Sequence, residues 1–342
     1  MKKNEQKIKI AFIYHRLATF IKKDLETLQK HFDVEPIQWT GKRDILKIAK
    51  GIMRSDLSFN WFAGDHAAVS IFFSKLFKKK SIIVVGGYDV ASEPEIDYGQ
   101  LAQKEYKKKL TQFALKNANL VLAVDRGLIK DAETNAKVTG EHIDYLPTGY
   151  DPKYWKAKGI KEKIVLTIAS ADNLSRIKIK GLDTFVKSAK YLPSTKFIVV
   201  GVNSEAKKYL EKISSKNVEL IEFLPQKKLL SYYQKAKVYC QLSLREGLPN
   251  CLCEAMLCNC IPVGTDIPGI KNAIGNTGFY VTYNDEKATA DAIKKALAEP
   301  DKKGEMARKR ITDMFRFSYR EKGLTSFISN LTKKEGRRYG FN

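Results

Sequence analysis

Short runs of β-branched residues alternate with amphipathic stretches from one end of this 342-residue chain to the other, and that alternation limits the fold more than any other feature. Strands are expected over 7–14, 33–39, 57–63, 81–87, 120–125 and 143–148. A second set is expected over 163–170, 196–202, 218–224, 238–243, 261–266 and 277–282. Helical patterns such as TFIKKDLETLQKHF and GLDTFVKSAKYL lie between them. A strand–helix–strand repeat predicts an α/β fold in which mostly parallel sheets carry helices on both faces. Twelve strands are too many for one such sheet at this length. In LPTGYDPKYWKAKG, Pro147, Gly149, Pro152 and Gly159 break both periodicities, so this segment is expected to link two Rossmann-like domains. The expected division is 1–152 and 153–320, with 321–342 forming a C-terminal helix that returns to the first domain.

The core has ample material, since 44% of residues are hydrophobic and 11% aromatic. The 61 Lys and Arg against 38 Asp and Glu, a formal charge of +23, therefore belong to a folded basic protein and not to a disordered one. Such a charge suits nucleic acid, an anionic membrane, or an anionic small molecule. It is shared unevenly: residues 1–155 hold 26 basic and 19 acidic side chains, and the remainder carries the larger excess. No run of roughly 18 apolar residues occurs, so a membrane span is not expected. The N-terminal MKKNEQKIKIAFIYHRL reads as a first strand, having neither the apolar length nor the cleavage site of a signal peptide. All five cysteines fall between Cys240 and Cys260, four of them in two C-x-C pairs, 251/253 and 258/260, in an apolar helical pattern. That spacing fits buried reduced thiols better than zinc, and the odd count points to the cytoplasm. No metal site is expected.

The segment LSLREGLPNCLCEAMLCNCIPVGTDIPG (242–269) is the most informative. A strand ends near Ser243, a loop carries Arg245 to Pro249, and a helix opens near Asn250. Free N–H groups at such a loop and helix start suit a phosphate. Glu254 is the only charged side chain between Asn250 and Cys260, and a carboxylate in an apolar helix needs hydrogen-bond partners, such as a ribose diol.

Glu246 and Glu254 stand eight residues apart, and EGLPNCLCEAM followed by IPV resembles the E-x(7)-E signature of family 4 glycosyltransferases (glycosyl transferases group 1). LPTGYDPKYW, KGLDTFVKSAKYL, VVGV, VELIEFLPQKKLLSYYQKA and TGFYVTYND follow that family's pattern in the same order. The resemblance spans nearly the whole chain and implies the GT-B fold, two facing Rossmann-like domains with the acceptor side in 1–152 and the nucleotide-sugar side in 153–320. It implies a metal-independent, retaining hexosyltransferase that moves sugar from a nucleotide-sugar co-substrate, UDP- or GDP-linked, to a hydroxyl of a saccharide or lipid-linked saccharide. No separate cofactor is implied.

Carried over, the resemblance places Glu254 on the ribose hydroxyls and Glu246 on the donor sugar or in a charge-stabilising role. It places the backbone of Gly247, Leu248, Pro249 and Asn250 along the diphosphate and sugar. Lys180 and Arg176 would neutralise the diphosphate, with Lys178 the alternative to Arg176, and the base would lie near Phe223 and Leu224. Positive side chains there do the work of a metal ion, and no D-x-D pair occurs in the chain. On the acceptor side Arg16 and Thr19 stand after the first strand, where many relatives carry glycines. His66 follows the third strand, and Gly87, Tyr88 and Asp89 follow the fourth, where a His-Asp pair is common. His66 and Asp89 are taken as catalytic candidates.

AVSIFFSKLFKKK (68–80) and KEYKKKLTQF (104–113) are two local basic clusters with aromatic residues among the lysines. They fit either solvated helix faces or an anionic membrane surface, on which the protein would sit peripherally at the inner face of the cell membrane. Nucleic acid is not expected as a partner, because no binding module is recognisable. The competing readings are a non-catalytic basic binding protein on the same scaffold, on membrane or nucleic acid, and a nucleotide-sugar epimerase or phosphorylase.

Overall fold

The computed structural model describes residues 7–333, so the last nine residues of the expected C-terminal segment, 334–342, lie outside the described part. The chain divides into two compact units, one holding residues up to Pro147 together with those from Ser318 onward, the other Thr148–Phe317.

The first unit contains β1 (Lys9–Tyr14), α1 (Thr19–His31), β2 (Asp33–Gln38), α2 (Ile45–Arg54), β3 (Leu57–Trp61), α3 (Asp65–Leu76) and β4 (Lys80–Val85). It continues through α4 (Glu105–Asn117), β5 (Leu120–Ala123), α5 (Arg126–Ala136) and β6 (Ile143–Tyr145). The second unit opens with β7 (Glu162–Ala171), α6 (Leu174–Lys180), α7 (Leu182–Ser188), β8 (Lys196–Val202), α8 (Ser204–Ile213), β9 (Val218–Ile221) and α9 (Gln226–Lys235). There follow β10 (Ala236–Gln241), α10 (Asn250–Leu257), β11 (Ile261–Thr265), α11 (Pro268–Ile274), β12 (Phe279–Val281), α12 (Glu286–Ala298) and α13 (Asp301–Met314). The last helix, α14 (Phe317–Thr332), lies almost wholly in the first unit.

Each unit holds a six-stranded sheet, in the order β2-β1-β3-β4-β5-β6 and β12-β11-β10-β7-β8-β9, and every strand pairing is parallel. Burial on both faces explains why central strands such as LSFNW, LVLA and IPVGT are buried at every position. In parallel α/β sheets the strand order reverses at one point, and the loops at the strands' C-terminal ends there diverge to leave a crevice. In the second unit the reversal lies between β7 and β10, and in the first between β1 and β3.

The breaks fall at Pro147/Thr148 and Phe317/Ser318, a few residues before the expected 152/153 and 320/321. Local pairing accounts for the shift. Tyr150 bridges to Arg316, and the Tyr150 hydroxyl donates to Asn250 Oδ1 at 2.8 Å, so the start of the linker packs with the second unit. Tyr154 is exposed, whereas its neighbour Trp155 is fully buried, with its ring 5.5 Å from that of Tyr233.

Candidate functional site

The side chains expected to meet a nucleotide sugar converge at the strand-order reversal of the second unit. Lys180 ends α6, which follows β7, and Glu246 lies in the loop after β10. Sixty-six residues apart in sequence, Lys180 Nζ and Glu246 Oε1 are 2.6 Å apart.

Backbone geometry brings them together. Gly181 has φ +61°, and a β-carbon there would stand 2.1 Å from the Leu242 carbonyl oxygen at the end of β10. Only glycine fits that left-handed, closely packed position. The backbone continues the contact, since Leu244 N–H donates to the Ile179 carbonyl at 2.8 Å. The loop of Glu246 is pressed from the other side: a β-carbon on Gly269 would lie 1.7 Å from the Gly247 carbonyl oxygen.

Within α6, Arg176 and Lys180 are four residues apart and share a face, while Lys178 points about half a turn away and is exposed. Helical phase thus puts Arg176, and not Lys178, on the side of Lys180. Asn173 caps this helix by accepting from the Arg176 N–H at 2.9 Å.

The Glu246 carboxylate is held asymmetrically. Oε1 accepts from Lys180, from Gln241 Nε2 at 3.0 Å and from Ser243 Oγ at 2.7 Å. No donor engages Oε2 among the described residues. Gln241 also donates to Ser243 at 2.9 Å, so a polar pair inside the apolar run VYCQLS fixes the carboxylate. Helix α10 then begins at Asn250 without a side-chain cap, leaving its first N–H groups with no side-chain acceptor of their own. Leu248 and Pro249 are buried and shape the loop, and Asn250 Oδ1 is occupied by Tyr150.

One turn into α10, Glu254 is buried and accepts from Gln226 Nε2 and from the Tyr233 hydroxyl, each at 3.2 Å. The aromatic chain Trp155–Tyr233 therefore runs from the linker to this carboxylate. Phe223 and Leu224 follow β9, which ends at Ile221, and Phe223 is 76% exposed, an open apolar face in the loop that leads to Gln226. Cys240, Cys253, Cys258 and Cys260 are buried and Cys251 half-buried, all as free thiols. Burial pushes the Cys251 thiol up to about 12 and the others upward too, so they are unionised packing groups. Among the described residues no three His, Cys, Asp or Glu side chains gather as metal ligands.

In the first unit Arg16 and Thr19 are exposed after β1, and His66 follows β3, so these three flank that sheet's own reversal point. Gly87, at φ +130°, and the partly exposed Tyr88 follow β4, the Tyr88 ring lying 5.2 Å from that of Tyr98. The two catalytic candidates here, His66 and Asp89, are both buried and hydrogen-bonded to backbone. His66 is buried, its Nε2 hydrogen-bonded to the Trp61 carbonyl at 2.8 Å. Asp89 is 1% exposed and accepts from the N–H groups of Ala63, Gly86 and Gly87 at 2.9–3.1 Å, tying the loop after β3 to the loop after β4.

Burial raises the Asp89 carboxyl to about 6 and lowers the His66 imidazole, with opposite consequences for stability. A raised carboxyl contributes stability that is present below pH 4 and lost as pH rises through 6, about 3 kcal/mol for a shift of this size. A lowered imidazole contributes stability that is lost as pH falls below 6.5. In urea titrations from pH 4 to 7, Asp89→Asn should remove the falling component and leave stability rising toward neutrality. A variant with the wild-type pH slope would show that Asp89 does not titrate in this window.

Residues 162–299 match the family model described as Glycosyl transferases group 1. Alpha-maltose-1-phosphate synthase of Mycolicibacterium smegmatis is 25% identical over 218 residues, 55% of this chain and 56% of that protein, so the match spans about half the relative's length. HepE of Anabaena, solved with UDP-glucose, superposes with a TM-score of 0.77 at 14% identity, covering 94% of this chain and 100% of its own. Sucrose-phosphate synthase of Thermosynechococcus elongatus gives 0.74 at 16% identity over 95% of this chain and 99% of its own. A glycosyltransferase of Rickettsia africae gives 0.74 at 15% identity, covering 96% and 100%. The fold is GT-B, with the group 1 match lying in the second unit.

Proposed function

We propose that this chain, whose second unit is a group 1 glycosyltransferase unit, transfers a hexosyl group from a UDP- or GDP-sugar to a hydroxyl of a saccharide or lipid-linked saccharide, with retention. The observation that carries this reading is the 2.6 Å contact of Lys180 with Glu246 at the C-terminal ends of β7 and β10, with Glu254 one turn into the helix that follows.

A nucleotide sugar has a diol, two phosphates and a hexose, and the second unit has a matching group for each. The Glu254 carboxylate accepts the ribose hydroxyls, as its present bonds from the Gln226 amide and the Tyr233 hydroxyl illustrate. Phe223 offers the base an apolar face. The diphosphate lies against the N–H groups of the Gly247–Asn250 loop and the cations of α6. Glu246 Oε2 is left to orient hexose hydroxyls. When the sugar–phosphate bond breaks, negative charge grows on the departing diphosphate, and Lys180 with Arg176 stabilises that charge more than the ground state. The departing phosphate oxygen takes the acceptor proton, so no side-chain base is required and the burial of His66 and Asp89 is no obstacle. Unionised thiols and a nucleotide-sugar donor fit a cytoplasmic enzyme.

Glu254→Ala should lose the two ribose bonds, each worth about 1.5–3 kcal/mol to a charged acceptor, and weaken donor binding roughly 100-fold or more. Thermal shift against a panel of nucleotide sugars checks this. Stabilisation of the wild type by at least one of them, absent in Glu254→Ala, supports the assignment. A protein using this scaffold only to hold polyanions would show no shift with any of them.

A further inference from the structure

We infer that α2, α3 and α4 of the first unit form a docking surface for an anionic lipid bilayer. Side-by-side packing of α2 on α3 and of α3 on α4 makes them one layer on one face of the sheet. Their outer side carries large apolar side chains among its lysines, which a purely solvated helix layer does not need. Leu46, Met53, Phe72, Leu76 and Tyr106 are each more than half exposed, and Leu110 is about a third exposed. Leu46 and Met53 lie two turns apart on α2, Phe72 and Leu76 one turn apart on α3, and Tyr106 and Leu110 one turn apart on α4, so each helix offers its own apolar pair.

Charge selects the partner. The three helices with their flanking residues, 45–54, 65–80 and 104–117, hold twelve Lys and Arg against two acidic residues, Asp65 and Glu105. Residues 1–155 hold 26 basic and 19 acidic side chains in all, so outside this layer that half of the chain is net negative. Concentrating cations around exposed apolar side chains matches a surface with anionic headgroups above hydrocarbon. Long lysine side chains can reach the headgroups while Phe72 and Leu76 enter the interface. Among the described residues no helix is long and apolar enough to span a membrane, so attachment through this layer is peripheral. Delivery of a lipid-linked acceptor depends on the transferase reading above, but lipid binding by these helices does not. Flotation can therefore fail while stabilisation by nucleotide sugars persists.

The test is flotation of the full chain with vesicles of phosphatidylcholine alone or mixed with phosphatidylglycerol, at low and at high salt. Wild type should float with the mixed vesicles at low salt, and several-fold less with neutral vesicles or at high salt. Phe72→Ser/Leu76→Ser and Lys75→Glu/Lys109→Glu should each reduce the bound fraction at least five-fold, with unchanged melting temperature and donor stabilisation. Lys294→Glu/Lys295→Glu, which removes the same charge from α12 of the second unit, should retain more than half. The proposal is overturned if wild type does not float, if it retains RNA but not vesicles, if the α12 variant loses as much as the α3–α4 variant, or if Phe72→Ser/Leu76→Ser binds normally.

Discussion

Lys180→Met is expected to lower the turnover number for sugar transfer by roughly 10²–10³-fold, the loss usual when one preorganised charge-stabilising group is removed from an active site. Nucleotide-sugar affinity should fall less, because the diphosphate gains charge mainly as the bond breaks. The fold should tolerate the change. Lys180 ends its helix, the turn after it is held by Gly181 packing on the Leu242 carbonyl, and Glu246 keeps its bonds from Gln241 and Ser243. Arg176→Met should cost less, since Lys180 remains on the same helix face, and the double variant should be no worse than Lys180→Met within a few-fold if both act on one diphosphate. Steady-state kinetics with the donor that gives the largest thermal shift supply the comparison. Wild-type turnover in Lys180→Met would remove the central element of the mechanism.

The architecture was legible because parallel strands buried on both faces must be written as continuous β-branched runs, and each of the twelve runs became a strand. Their ends were less legible. The run at 218–224 yields a strand only to Ile221, since Glu222 and the largely exposed Phe223 belong to the loop that follows. In the site, Lys180, Glu246 and Glu254 stood out by local pattern, whereas Gln226 and Tyr233 did not. Their contacts with Glu254 bridge 28 and 21 residues and follow no spacing rule. Gln241 had left a trace, a polar side chain within an apolar strand, which only the position of Glu246 explains. That Arg176 shares the side of Lys180 while Lys178 does not became visible only once SRIKIK was placed on a helix with a known phase. The backbone partners of His66 and Asp89 were illegible for a different reason. Polar residues beside loops look reactive in sequence, while the backbone groups that occupy them, the Trp61 carbonyl and three amides, have no signature in side-chain order.

A second large effect lies in the first unit, where α14 is fixed by a buried charge pair. The Arg320 guanidinium donates through Nε and an Nη to both oxygens of Asp24, at 3.1 and 2.6 Å, and through its other Nη to the Leu146 carbonyl at 2.6 Å. Asp24 also accepts from Trp61 Nε1 at 3.0 Å, and the guanidinium carbon lies 5.5 Å from the Trp61 ring centroid. The side chains of Arg320 and Asp24 are 1% and 4% exposed, so water cannot replace a missing partner. Arg320→Met should therefore destabilise the first unit by about 3–5 kcal/mol, mostly because the Asp24 carboxylate is left buried beside one indole N–H. Asp24→Asn/Arg320→Met removes the stranded charge while keeping an acceptor for Trp61, and it should recover roughly half of the loss. Urea unfolding followed by tryptophan fluorescence reads this directly, because Trp61 stacks on the changed group. If the double variant were as unstable as Arg320→Met, the cost would lie in lost packing of α14 and not in an unpaired charge.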